Sequence, residues 1–127
     1  MINKENSLEV IYCGKIIFFS KGKWLYPLIE LEAFLSDHNF DMNQITMEDK
    51  ISGRAAAGFD IYLGIKKVNL DLVSDYAIDL YKKFNVDVHY KKRIKLIKCK
   101  TEELITEDMS PTQIHDFIIK RALTDLR

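Results

Sequence analysis

Lys50 and Arg54 stand four positions apart in the stretch Glu48-Asp49-Lys50-Ile51-Ser52-Gly53-Arg54-Ala55-Ala56-Ala57. If that stretch is helical, the two cations share a face, and such a like-charge pair costs about 0.2–0.5 kcal/mol. Near a helix N-terminus the backbone dipole disfavours a cation by about 0.3–1 kcal/mol more. Thr46, Met47, Ala57 and Gly58 hold the flanking positions three or four residues away, so no carboxylate along the helix offsets these penalties. Anion binding is the chemistry this pattern suggests, with the cations and the free N–H groups of the helix start as donors. Gly53 would let a ligand approach the backbone closely. Asp49 would cap the helix or accept a ligand hydrogen bond, and it is the one obvious candidate base if a reaction follows binding. The competing reading is that an acid from another element, such as Asp75 or Asp108, pairs with the cations, or that both reach solvent.

Other chemistries lack their residues. A zinc site needs three or four ligands at workable spacing, but His38, His89 and His115 lie far apart and Cys13 and Cys99 each stand alone. Gly53 and Gly58 have the spacing of a phosphate loop, yet Phe59-Asp60 follows where Lys-Ser/Thr is required. No GxSxG or GxGxxG occurs, and neither a metal nor a cofactor is expected. His115-Asp116 resembles a base with its orienter, but adjacent helical residues point about a hundred degrees apart and are not expected to pair. From Lys82 to Lys100 eight basic residues face one acid, Asp87. That run reads as a protected sheet edge, or as a face for an acidic protein or RNA.

These residues need elements to hold them. Leu8–Tyr12 and Ile16–Ser20 read as strands of a hairpin turning at Cys13-Gly14-Lys15. Pro27 suits the first turn of a helix carrying Leu28, Leu31 and Leu35. Thr46 as N-cap and Asp49 three residues on predict a second helix, with Ile51, Ala55, Phe59 and Tyr62 on one face and Gly64 as its C-cap. The small run Ala55-Ala56-Ala57-Gly58 would let that helix pack closely on the sheet. Val68, Leu70 and Leu72 alternate as a strand; Ser74 caps a helix bearing Ala77, Leu80, Tyr81 and Phe84; Val86, Val88 and Tyr90 alternate again. Ile94–Cys99 is open between a further strand and a continuation. Ser110-Pro111-Thr112-Gln113 is a capping box opening a last helix with Ile114, Phe117 and Ile118 on one face. Trp24 is an anchor for the loop ahead of the first helix. The order β-β-α-α-β-α-β-(β)-α implies crossovers, partly parallel pairing and a mixed sheet with helices on its faces.

Composition agrees. The 127 residues are 47% hydrophobic and 30% charged, and 19 basic groups cancel 19 acidic ones. That is one domain over 1–127, too apolar and too neutral for disorder and without the basic excess of a general nucleic-acid binder. The longest aliphatic or aromatic run is Ile16–Phe19, far short of a membrane span. The polar start Met1-Ile2-Asn3-Lys4-Glu5-Asn6 does not read as a signal peptide, and two cysteines make no disulfide scaffold. A cytoplasmic location is expected.

Three stretches together resemble a known family, the domain of unknown function 1893: Tyr26-Pro27-Leu28-Ile29-Glu30-Leu31; Asp49-Lys50-Ile51-Ser52-Gly53-Arg54-Ala55-Ala56-Ala57; and Tyr62-Leu63-Gly64-Ile65-Lys66-Lys67-Val68. The Ser74–Val86 helix also fits, and the likeness runs from about Ser7 to Leu123. It implies a cytidine-deaminase-like fold, a three-layer α/β/α arrangement on a mixed four- to five-stranded sheet. Zinc deaminases carry His-x-Glu and Pro-Cys-x-x-Cys at two helix starts; the equivalent starts here hold no such set, which speaks against zinc deamination. The resemblance still places Asp49, Lys50, Gly53 and Arg54 at the ligand pocket, with Ser74 and Asp75 opposite. Many members have Cys-Pro-x-Glu where this chain has Ser110-Pro111-Thr112-Gln113, so activity depending on that thiol and carboxylate would be absent. The expected partner is a small anionic or nucleotide-like ligand, and neither a membrane nor nucleic acid is expected. The alternative is an interaction domain working through the basic 82–100 face.

Overall fold

The structure is a computed structural model that describes residues 5–125, so Met1–Lys4 of the polar start lie outside the described residues. Its elements are β1 (Leu8–Tyr12), β2 (Lys15–Ser20), α1 (Tyr26–Ser36), a single 3-10 turn (Met42–Gln44), β3 (Ile45–Ser52), α2 (Arg54–Leu63), β4 (Lys67–Ser74), α3 (Asp75–Lys83), β5 (Asp87–Ile94), α4 (Lys100–Leu104) and α5 (Pro111–Asp125). The strands form one mixed sheet in the order β2-β1-β3-β4-β5. β1 runs antiparallel to both neighbours, while β3, β4 and β5 are mutually parallel. The fold is of the expected class, a mixed five-stranded sheet alternating with helices, consistent with a three-layer α/β/α arrangement.

One expected element is corrected. Residues 45–52 are a strand, not the first turns of a helix. Ile45 and Met47 are fully buried, and Glu48 is buried as well; the segment pairs β1 on one edge and β4 on the other. A central, two-sided place in the sheet outweighs the capping-box pattern at Thr46. The helix begins only at Arg54, with Gly53 as its N-cap. Lys50 therefore lies in β3 and shares no helix face with Arg54, so the like-charge penalty does not arise. β5 ends at Ile94, and 95–99 is not a strand.

Two of the parallel strands lead directly into a helix: β3 through Gly53 into α2, and β4 through Ser74 into α3. Right-handed crossovers stepping the same way across the sheet put α2 and α3 side by side on one face, and the two are in contact. Their N-termini thus meet at the C-terminal ends of β3 and β4, where ligands bind in open α/β sheets. Leu8, Val10, Met47, Val68 and Leu70 from the sheet pack with Phe59 of α2, Leu28 and Leu31 of α1, and Ile78 and Tyr81 of α3. The small run of α2 is buried as expected, but its tightest approach is to α5. A Cβ on Gly58 would stand 2.6 Å from Ile114 Cδ1.

Candidate functional site

Gly53 has no side chain to cap α2, so the first N–H groups of that helix need an outside acceptor. Glu102 of α4 supplies it. Its carboxylate accepts from Arg54 N at 3.0 Å and from Ala55 N at 2.9 Å. The carboxylate lies so close that a Cβ on Gly53 would meet Oε1 at 2.0 Å. Burial pushes the Glu102 pKa up, although the two amides and the Arg54 charge oppose it. Burial thus offsets part of what the two amides and the Arg54 charge give the carboxylate. The acceptor at this helix start is a side chain of the same protein, an acid from another element. The acid is neither Asp75 nor Asp108.

Arg54 fastens the far end of the 95–105 segment that carries α4, a strap across the helix start. Its guanidinium donates to Ile105 O at 3.0 Å and lies 4.1 Å over the Tyr76 ring of α3, a cation–π contact that links the two helix starts. At the strap's near end Trp24 Nε1 donates to the buried Thr101 hydroxyl at 3.0 Å. Trp24 is thus an anchor, and its partner is α4. Between the strap and the sheet end lies a cavity of about 220 Å³ bounded by Trp24, Ile51, Ala56, Ile97, Cys99 and Glu102.

Beneath the helix starts runs a buried polar chain. Ser52 Oγ and Tyr81 OH are 2.7 Å apart, and Tyr81 OH donates to Asp60 Oδ2 at 2.5 Å. Asp60 Oδ1 has no partner. Burial, with the Asp49 charge adding to it, drives the Asp60 pKa well up. Burial likewise lifts Asp49 to about 7, against hydrogen bonds from the Lys50 and Ile51 backbone. Asp49 does not cap α2; it is a strand residue tied to its own backbone.

Of the six expected site residues the structure gathers two, Gly53 and Arg54, at the strap. Ser74 caps α3, accepting from Ala77 N at 3.1 Å, and Asp75 is bound to Arg93 at 2.9 Å on the surface. Asp49 and Lys50 belong to β3. Glu102, Thr101 and Tyr81 carry no sequence signal of this role; only the missing acceptor at Gly53 hinted that a carboxylate must come from elsewhere. His115 departs from expectation too. Its Nδ1 lies 2.8 Å from Asp116 Oδ1, because the exposed Asp116 side chain curls back across the angular gap, while Nε2 reaches Glu32 of α1 at 2.9 Å.

Comparison with known proteins places this geometry in a family. No curated protein matches the chain. Among solved structures it is similar to a DUF1893 family protein (TM1506) from Thermotoga maritima, with 25% identity over 93% of this chain and 82% of that one and a TM-score of 0.81. The family described as TM1506, domain of unknown function (DUF1893), matches residues 1–119. The chain belongs to the DUF1893 family.

Proposed function

We propose that this protein binds a small anionic or nucleotide-like ligand at the start of α2, in the cavity under the 95–105 strap, on a cytidine-deaminase-like scaffold that works without zinc. The observation that carries the reading is the Glu102 carboxylate on the Arg54 and Ala55 amides. It marks an anion seat at the C-terminal ends of parallel strands, beside a cavity with apolar walls. The ligand's anionic group takes the place of Glu102. Burial works against that carboxylate, which lowers the cost of displacing it. Displacement also releases Arg54 from a neutral carbonyl to pair with an opposite charge. The zinc chemistry of the deaminase fold does not fit these residues: the two helix starts offer Gly53-Arg54 and Ser74-Asp75, and Cys99 stands alone beside them. Gly53, Arg54 and the Ala55 amide hold the anion in this reading; Lys50 and Asp75 do not take part.

Thermal-shift measurements against inorganic phosphate, nucleoside phosphates and small carboxylates test it, with Arg54→Ala and Glu102→Ala alongside. A ligand at a hundred times its Kd adds about 2.7 kcal/mol. The expected result is a raised midpoint in the native protein, a larger rise in Glu102→Ala, and none in Arg54→Ala. No shift with any anion in Glu102→Ala, where the seat stands open, would overturn the reading.

A further inference from the structure

β5 closes one end of the sheet, with β4 on one side and an unpaired edge on the other. It is eight residues long, and Asp87, His89, Tyr90, Lys91, Lys92 and Arg93 are all exposed. Every second residue of an edge strand points its N–H and C=O away from the sheet, a row that another strand satisfies. Past Asp87, which pairs with His89, the charge along it is one-sided: Lys91, Lys92 and Arg93 in the strand, then Lys95, Lys98 and Lys100. Lys91 is paired with Asp71 and Arg93 with Asp75. Lys92, Lys95, Lys98 and Lys100 have no ion-pair partner among the described residues, although the whole chain is neutral. A second copy brought edge to edge would set two such cationic strips against each other, which disfavours self-pairing. RNA would meet the charge but leave the alternating backbone donors and acceptors unmatched.

We propose that the free edge of β5 docks an extended acidic segment of another protein, which adds a sixth strand to the sheet. Backbone hydrogen bonds along β5 give the register, and Lys92 and Lys95, with Lys98 and Lys100 beyond the strand end, meet its carboxylates. None of these four lysines lines the cavity at the α2 start, so the proposal is tested separately from the ligand reading.

The test uses the whole protein and a fluorescent peptide of about ten residues that alternates glutamate with valine, enough to span a typical strand. Three competitors go with it: the same peptide N-methylated at every second residue, a scrambled-charge version with lysine for glutamate, and a single-stranded RNA of equal charge. The expected result is binding that weakens steeply as salt rises, falls at least about tenfold in the Lys92→Glu/Lys95→Glu double variant, and is lost on N-methylation. Both substitutions are at exposed positions, and circular dichroism checks that the variant is folded. Equal binding of the N-methylated peptide would show charge attraction without strand addition. Preference for the RNA, self-association at the edge, or no binding at low salt would each overturn the proposal.

Discussion

Trp24 Nε1 donates to Thr101 Oγ1 at 3.0 Å, joining the loop ahead of α1 to the first turn of α4 across 77 positions of sequence. Thr101 is buried, so removing the indole donor leaves its hydroxyl short of a partner. Trp24→Phe is expected to cost about 1–3 kcal/mol. It should also speed tryptic cleavage after Lys98 and Lys100, read by limited proteolysis. Unchanged cleavage would mean that Glu102 and Arg54 hold the strap without help.

Gly53→Ala tests the seat from the other side. The backbone there, with φ −102° and ψ −170°, suits alanine, but the new methyl group occupies the place of the Glu102 carboxylate. The expected outcome is expulsion of Glu102 and a loss of about 1.5–3 kcal/mol, the worth of hydrogen bonds to a charged group. In Glu102→Ala the same glycine change should cost far less. A double-mutant cycle in denaturant measures the coupling, and additive costs would show that the two positions do not compete.

Gly58→Ala should destabilise for a different reason. Helix propensity alone favours alanine by about 1 kcal/mol, yet three side-chain atoms of Ile114 lie within 2.9 Å of the added Cβ. Overpacking of about 1–3 kcal/mol is therefore expected to win. Ile114→Ala combined with Gly58→Ala should recover part of the loss, as seen in the thermal midpoint.

Burial raises the Asp49 carboxyl from 3.8 to about 7, so the folded state holds a proton that the unfolded chain has released. Its effect on stability is absent below about pH 4. It grows as pH climbs, at about 1.4 kcal/mol per unit, and is complete above about pH 7. Asp60 acts with the same sign. The protein should lose stability between mildly acidic and mildly alkaline solution, and Asp49→Asn should flatten that slope. Urea midpoints at about pH 5 and about pH 8 decide it; an equal drop in the variant would place the titration elsewhere.

Much of the fold was legible because its signals are local. The hairpin, the Pro27 helix, the Ser74 cap and the Ser110–Gln113 box depend on residues three or four apart, and each stands as expected. β3 was misread because a charged strand that ends in a glycine mimics a capped helix start: Thr46 and Asp49 have capping spacing, while only Ile45 and Met47 mark the strand period. That error put Lys50 beside Arg54. The Gly53–Arg54 segment was picked out through a Lys50–Arg54 helix pairing that the fold does not make. The carboxylate that meets it lies 48 positions downstream, and no spacing rule connects residues that only tertiary packing brings together.

The strap's ties also set an order of events. β3, α2, β4, α3 and β5 follow one another with short connections, so their contacts close small loops and form early. Contacts spanning 48 and 77 positions close large ones, at greater entropic cost, and α4 contributes only five residues of helix. The strap is therefore expected to settle last in folding and to lift first in the native protein. Its opening is a local event, visible as faster hydrogen exchange at the Arg54 and Ala55 amides than at amides in the middle of α2. On the proposed ligand reading, the rate of that opening would set how fast an anion reaches the start of the helix.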